Sequence, residues 1–335
     1  MLAKIIPPMS IESAYAACEQ LCRQASSTFF ASFVALPSEK RSAVHAVYAF
    51  CRRADDIADG DHLPESNPDA GLDAMVEARD EDLRSVHGVP PANPPEVHLR
   101  RLRALVDLRR SLRACLSDAP FQSNDPVMIA LRDVLRRYPV RIEDLELIID
   151  GMEDDLFPMR CSTLDDLRAY CYKVASAVGL VLIEIYGYED GAARLHAIDM
   201  GIELQMINVL RDVKEDLNRD RVYLPHDLLS AHGIGMEDLA SPDLAHEQRW
   251  TDFIEEYLTI VRRHKRSGRQ MLPLLDARSR LQPKLMCEAY ESILASLERN
   301  ASSILDQGIH LSRWTKFRLA LGMWTRRSLV AIRLA

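Results

Sequence analysis

The sequence predicts an all-α fold, a single-domain helical bundle around a central cavity. Glycine is scarce, with 13 in 335 residues, and long stretches repeat apolar residues with the helical period, whereas alternation typical of strands is rare. Two acidic clusters with the same helical spacing lie about 155 positions apart and are better explained as two walls of one cavity than as two domains. The whole chain, 1–335, is therefore predicted to be one domain of the bundle type.

Helices are predicted wherever the apolar period persists. The predicted segments are about 10–28, 38–59, 97–117, 125–137, 141–155, 164–187, 191–218, 247–270, 280–305 and 312–333. Thr163 with Asp166 forms a capping-box pattern, and Asp125 before Pro126 is typical of a helix start. The proline-rich stretch 60–96 is predicted to be a mobile insertion with a short helix near 71–85, placed where it could cover the site.

The first acidic cluster belongs to a polar helix face. Tyr48, Arg52, Asp55 and Asp59 are separated by 4, 3 and 4 positions and share that face. A phenol, a guanidinium and two carboxylates do not form a core stripe. The face is therefore a candidate binding wall.

The second cluster has the same character. Gln205, Asn208, Asp212 and Asp216 follow Gly201 at spacings of 4, 3, 4 and 4, and Gly201 would allow close approach of a ligand or another helix. Arg211 and Arg221 flank the acids, and such cations suit phosphate oxygens.

Like charges four residues apart cost a helix roughly 0.2–0.5 kcal/mol per pair, and a cation between two such pairs removes that cost. Mg²⁺ takes oxygen ligands and combines one or two carboxylates with substrate phosphates. A lone pair of this kind is usually a solvated face, but two pairs, each preceded by polar residues in phase, predict a magnesium–diphosphate site. The predicted metal ligands are Asp55, Asp59, Asn208, Asp212 and Asp216.

These segments resemble the squalene/phytoene synthase family. Residues 48–59 and 205–216 look like its two aspartate-rich motifs, 170–179 resembles a signature that lines the reaction cavity, and Asp150-Gly151-Met152 with Asp155 resembles a further motif. The resemblance runs from about residue 20 to residue 225. It implies the isoprenoid-synthase fold and a Mg²⁺-dependent head-to-head (1′-1) condensation of two prenyl diphosphates, with Mn²⁺ as a possible substitute.

The resemblance also assigns roles to residues. It implies catalytic roles for Tyr48, Arg52, Asp55, Asp59, Asp212 and Asp216. The implied substrate-binding residues are Ser26, Thr28, Phe29, Phe33, Tyr48, Arg52, Val174, Ala175, Val178, Gly179, Gln205, Asn208, Arg211 and Arg221. The chain departs from the family at Ala25, where many members have histidine, and this weakens the case for a diphosphate contact at Ser26 and Thr28.

Phe33 matches a position that is bulky in farnesyl-using members, which favours two C15 substrates and a C30 product such as presqualene diphosphate, squalene or dehydrosqualene. The alternative is phytoene synthesis from geranylgeranyl diphosphate. NADPH would be needed only for a reaction that continues to squalene. A terpene cyclase, a non-catalytic subunit on the same fold and a structural helical protein remain further alternatives.

A net charge of −8 argues against general nucleic-acid binding. The seven cysteines form no Cys-x-x-Cys motif and fit a reducing cytoplasmic setting, and neither a signal peptide nor a transmembrane run is visible. Residues 312–335 carry arginines and tryptophans without an acid, which predicts a basic amphipathic helix able to contact the inner membrane surface. Oligomeric state cannot be predicted.

Overall fold

The computed structural model describes residues 9–24, 28–61, 63, 69–117, 121 and 123–306. Within these ranges the chain is mainly helical and contains no strand beyond two isolated β-bridges, which confirms the all-α prediction. The helices are α1 Ile11–Gln24, α2 Thr28–Ser32, α3 Ser38–Asp59, α4 Ala70–His87, α5 Pro95–Ala114, α6 Pro126–Arg137, α7 Ile142–Asp154, α8 Leu164–Cys171, α9 Ala177–Tyr186, α10 Ala192–Asn218, α11 His226–Ala231, α12 Gln248–Gly268, α13 Leu281–Arg299 and α14 Ser303–Asp306.

Helix boundaries follow the expected start and stop signals. The Asp125 side chain accepts a hydrogen bond from the Val127 amide at 3.0 Å, and Thr163 and Asp166 form the predicted capping box. Helix α3 ends at Gly60, which adopts a left-handed conformation with φ of 88°. The predicted segment 280–305 is right up to Arg299, where α13 ends, and wrong beyond it, because α14 is a separate turn.

Of the predicted first helix, 10–28, the structure describes α1 Ile11–Gln24 and the start of α2 at Thr28, and residues 25–27 lie outside the described residues. The predicted 164–187 helix is continuous but changes its winding, because residues 172–176 form a π-helical turn between α8 and α9. Residues 312–335 lie outside the described residues, and the membrane contact expected of them stays a prediction.

Helix α10, the longest of the described helices, runs through the centre and packs against α9, α12 and the π-helical turn. A Cβ atom on Gly201 would lie 2.5 Å from the Ser176 Cα, so only glycine allows α10 to cross the turn this closely. The close approach predicted at Gly201 is therefore made by another helix.

Helix α4 occupies the proline-rich stretch and is longer than predicted. It packs against α5 through buried Leu72, Val76 and Leu83. Arg79 adds ion pairs to Asp150 at 3.0 Å and to Glu153 at 2.6 Å on α7. The stretch thus contains a firmly packed helix, and a role of the insertion in covering the site stays a prediction.

One described stretch, Leu164–Tyr186, has the length and composition of a membrane-crossing helix, with a mean hydropathy of 1.4. More than half of it, 56%, is buried inside the fold. A core helix has the same properties, and here the stretch comprises α8, the π-helical turn and α9.

Candidate functional site

Arg221 lies between the ends of α3 and α10. Its Nη1 is 3.6 Å from Asp59 on α3, and its Nη2 donates to the Asp155 carbonyl at 3.1 Å. Arg219 reaches the same Asp59 carboxylate at 3.1 Å. Asp220, between the two arginines, has φ of 57°, and this left-handed residue turns the chain directly after α10. The two acidic helices therefore meet around Arg221.

The first cluster, Asp55, Asp56 and Asp59, is matched by arginines. Arg52 pairs with Asp55 at 2.9 Å and with Asp56 at 2.5 Å along the same helix. Burial raises the pKa of Asp55, the Arg52 guanidinium opposes that rise, and the neighbouring Asp59 and Asp56 charges add to it. Asp55 thus carries an electrostatic strain that a cation would relieve.

The second cluster is matched on one side only. Arg211 forms a two-atom ion pair with Asp212, through Nε at 2.7 Å and through Nη2. No ion pair is found for Asp216 among the described residues. Burial raises its pKa to about 7, the Asp212 charge adds to the rise, and Arg221 opposes it.

Asp155, a buried carboxylate with no predicted role, completes the site. Asp155 accepts a hydrogen bond from the Tyr223 hydroxyl at 2.9 Å and from the Tyr170 hydroxyl at 3.3 Å. The two tyrosine rings stack with centroids 4.5 Å apart. Burial raises the pKa of Asp155 to about 6, and Arg221 opposes the rise.

Two of these three residues could have been found from sequence. Asp155 ends the Asp-Gly-Met-x-x-Asp stretch, and Tyr170 begins the cavity signature. Tyr223 follows Arg221 by two positions in the loop after α10, where no periodic pattern marks it.

The Asp55 charge also raises the pKa of Asp155, so the first cluster, Asp155 and Arg221 form one electrostatic unit.

An apolar cavity with a volume of about 170 Å³ opens beside this unit. It is lined by residues of the π-helical turn, α9, α10 and α13. Six predicted substrate-binding residues are among its lining, namely Val174, Ala175, Val178, Gly179, Gln205 and Asn208. Asn208 is one helical turn before Asp212, so the cavity begins where the second acidic cluster ends.

Phe33 and Tyr48 belong to an aromatic cluster. The Phe33 ring is 5.7 Å from those of Tyr48 and His45 and 6.1 Å from that of Phe30. Phe33 is fully buried and is not among the described residues that line the cavity. Burial lowers the pKa of His45 to about 4, in line with a packing role.

Three predicted substrate-binding residues lie wholly or partly outside the described part of the chain. Ser26 falls between the described ranges, and the Thr28 and Phe29 side chains are outside it although α2 includes both backbones.

The donors of the site fit a hard cation, although no three side chains of histidine, cysteine or acid among the described residues already converge within metal distance. The Asn208 Oδ1 is buried and has no hydrogen-bond partner in the described part of the chain. The Asn208 oxygen and the Asp216 carboxylate, which has no ion pair among the described residues, are therefore both available as oxygen ligands of a metal ion. The ligand set Asp55, Asp59, Asn208, Asp212 and Asp216 stays a prediction that this donor chemistry supports.

The chain matches the family model described as squalene/phytoene synthase over residues 22–315. It belongs to the squalene/phytoene synthase family. Members of this family are prenyltransferases that join prenyl diphosphates head to head, and the chain is an enzyme of this class.

Similar proteins cover nearly all of the chain. A phytoene synthase of Mycobacterium tuberculosis is 31% identical over 318 residues, 92% of this chain and 90% of that protein. A 15-cis-phytoene synthase of Synechococcus elongatus is 30% identical over 92% and 91% of the two chains.

Solved structures agree on the fold. A dehydrosqualene synthase superposes with a TM-score of 0.71 at 25% identity, covering 95% of this chain and 98% of that one. A squalene synthase of Alicyclobacillus acidocaldarius superposes with a TM-score of 0.69 at 22% identity, covering 86% and 94%. The isoprenoid-synthase-type bundle implied by the sequence is confirmed.

Proposed function

We propose that this chain condenses two prenyl diphosphates of equal length, with Mg²⁺ held between α3 and α10. The observation that carries the proposal is the junction of charge and apolar space. Arg221 joins the two acidic helices, and Asn208, one turn away from Asp212, already lines the apolar cavity. An amphiphile with an anionic head and a hydrocarbon tail matches this arrangement.

The diphosphate head would bind between the two clusters. Mg²⁺, when bound, supplies positive charge that neutralises the phosphate oxygens. Asp55, Asp59, Asp212, Asp216 and Asn208 would hold it. Their oxygens belong to both acidic helices, α3 and α10, so ligands from each helix could share the ion.

Arginines would stabilise the leaving group. Arg52 and Arg221 carry guanidinium groups beside the acids, and charge-assisted hydrogen bonds to phosphate oxygens stabilise the charge that develops as the C–O bond breaks. The bonding electrons leave with the diphosphate, and an allylic cation remains. Arg211 is held by Asp212 in this structure, so its contact with phosphate requires that pair to open.

The second chain then reacts through its double bond. Its π electrons form the new carbon–carbon bond to the allylic cation, and loss of one proton closes a cyclopropane that retains the second diphosphate. A cation of this kind survives only away from water. Small apolar residues that line the cavity, including Val174, Ala175 and Gly179, meet this requirement.

The dimensions favour C15 substrates. Asn208 and Ala197 line the cavity eleven residues apart on α10, which is about 16 Å along the helix. An extended chain advances about 1.2 Å per bond, so a farnesyl main chain spans about 13 Å and a geranylgeranyl chain about 18 Å. The shorter tail fits without bending.

The second candidate is phytoene synthesis from C20 substrates. It is favoured by the names of the relatives, since proteins 30–31% identical over more than nine-tenths of this chain are phytoene synthases. The two candidates differ in tail length and share their chemistry.

The deciding experiment incubates the purified chain with labelled farnesyl or geranylgeranyl diphosphate and Mg²⁺, with and without NADPH, and identifies products by mass spectrometry. A C30 product supports the first candidate and a C40 product the second. A cyclised product from one diphosphate would identify a terpene cyclase instead. No turnover of either substrate by the folded chain would contradict both candidates and favour a non-catalytic subunit.

A further inference from the structure

We propose that Tyr186 and Gln282 form the closed end of the apolar cavity and set the longest prenyl tail that the enzyme accepts. The inference rests on the proposed function and assigns its chain-length selectivity to two residues outside the family motifs. Both residues line the cavity and are at most 2% exposed.

The cavity has two polar ends separated by apolar side chains. At one end, Gln205, Asn208 and Tyr290 line it beside the acidic clusters. Tyr186 is the last residue of α9, and only residues 187–191 separate it from α10, so it lies at the beginning of α10 near Ala197. Tyr186 is therefore at the end remote from Asp212.

Helix α13 gives the same order independently. Tyr290 and Gln282 both line the cavity and are eight residues apart, which is about 12 Å along the helix. Tyr290 belongs to the end near Asn208, since Asn208 and Arg211 both influence its pKa. Gln282 consequently reaches the remote end, where it meets Tyr186.

Hydrogen bonds fix this closed end in place. The Tyr186 hydroxyl donates to Gln282 Oε1 at 2.6 Å, and Gln282 Nε2 donates to the Ser32 hydroxyl at 2.8 Å. The Tyr186 carbonyl in turn accepts from Lys40 Nζ at 2.5 Å and from the Ser279 hydroxyl at 2.9 Å. A tail that reaches this wall cannot push it aside without breaking buried hydrogen bonds, which makes the wall a fixed stop.

The position of the stop falls between the two substrate lengths. The cavity extends about 16 Å along α10, against about 13 Å for a farnesyl chain and about 18 Å for a geranylgeranyl chain. Phe33, which the sequence favoured as the length-determining residue, packs behind Tyr48 and does not line this cavity. Length selectivity is thereby assigned to the Tyr186–Gln282 pair.

The test is a competition assay with equal amounts of farnesyl and geranylgeranyl diphosphate, scored as the ratio of C20 to C15 kcat/KM. Tyr186→Ala opens the closed end, and we expect the ratio to rise at least about tenfold, the effect of a few methylene groups gaining space. Tyr186→Phe keeps the ring and should change the ratio by less than about threefold. The matched control is Tyr188→Ala, since Tyr188 bonds to Glu184 and does not line the cavity.

Two further variants guard against loss of folding. Tyr186→Leu retains apolar packing while shortening the wall, and should raise the ratio in the same direction. Ala197→Val adds bulk at the same end and should lower it. An unchanged ratio in these variants, with wild-type circular dichroism and melting temperature, overturns the assignment.

Failure of the proposed function would look different. If the wild-type chain turns over neither substrate, that proposal fails, whereas the closed end is still measurable as binding. Calorimetric titration with C15 and C20 thiodiphosphate analogues in Mg²⁺ should show a gain in C20 affinity for Tyr186→Ala and none for Tyr188→Ala. An equal change in both variants would contradict the role of Tyr186.

Discussion

The two acidic helices, α3 and α10, carry carboxylates at the same spacing but differ in the arginines that pair with them. On α3, Asp55 and Asp56 share Arg52, and Asp59 is shared by Arg219 and Arg221. On α10, Asp212 is paired with its neighbour Arg211, while Asp216 has no ion pair among the described residues.

The acids of α3 form a wall of the site in which every carboxylate is paired with an arginine. The acids of α10 form a deficient wall, in which Asp216 lacks such a partner among the described residues. Burial and neighbouring acids raise the pKa of Asp216 to about 7, whereas the α3 acids each have an arginine within reach. The α10 wall therefore has more to gain from a cation. Arg221 connects the walls, because it contacts Asp59 and influences the pKa values of both Asp55 and Asp216.

The largest effect should come from neutralising one acid on each wall. If Asp55 and Asp212 hold Mg²⁺ as proposed, Asp55→Asn and Asp212→Asn should each reduce kcat by about 10³-fold, because each removes a metal ligand whose charge is needed as the C–O bond breaks. Steady-state turnover with farnesyl diphosphate measures this, with Asp252→Asn on α12 as the matched control. Near-normal turnover of one variant would show that its wall does not bind the metal.

The next effect separates the two arginines that reach Asp59. Arg221 is 13% exposed and Arg219 is 46% exposed. Arg221→Gln should lower kcat by about 10²-fold, because a largely buried cation is weakly screened, and Arg219→Gln by less than about threefold. Equal losses in the two variants would contradict the central position given to Arg221.

A smaller effect concerns the carboxylate behind Arg221. Tyr223→Phe removes the 2.9 Å hydrogen bond to Asp155 and should lower the free energy of unfolding by about 1–3 kcal/mol, measured in urea. Tyr170→Phe removes two longer contacts, of 3.3 Å to Asp155 and 3.2 Å to the Tyr223 hydroxyl, and should cost less. A larger loss from Tyr170→Phe would reverse the order assigned to the two hydroxyls.

The smallest effect tests the deficient wall without metal. The pKa of Asp216 is raised from an ordinary 3.8 to about 7, so its ionisation costs stability increasingly from about pH 4 to pH 7 and fully above that. In EDTA at pH 8, Asp216→Asn should raise the melting temperature by roughly 1–3 °C after solvent screening, and the gain should vanish near pH 4. A lower melting temperature at pH 8 would show that Asp216 is stabilised in the metal-free protein.

The helices of the site and their polar faces were predictable because both follow from the helical period of the sequence. Residues 38–59 form α3 as expected, and the polar faces of α3 and α10 follow from spacing alone. Small residues of the cavity signature line the cavity, as the resemblance implied.

The remainder depends on tertiary contacts that no local pattern encodes. Arg219 and Asp220 belong to a loop. The left-handed backbone of Asp220, whose side chain also pairs with Arg160, sets the direction of this loop. Tyr186 and Gln282 are 96 positions apart and come together only in the folded chain, where both line the same cavity. The resemblance implied that Phe33 limits the length of the substrate. In the structure, the Phe33 ring packs against the Tyr48 ring instead of lining the cavity.

The most direct test is anomalous diffraction from crystals soaked with Mn²⁺ and a farnesyl thiodiphosphate that does not ionise readily. Manganese peaks are expected between α3 and α10, within about 2–2.5 Å of oxygens from both Asp55 or Asp59 and Asp212 or Asp216, with the tail directed toward Tyr186. Manganese bound to one helix alone, or a tail outside the α9–α10–α13 cavity, would contradict the shared site.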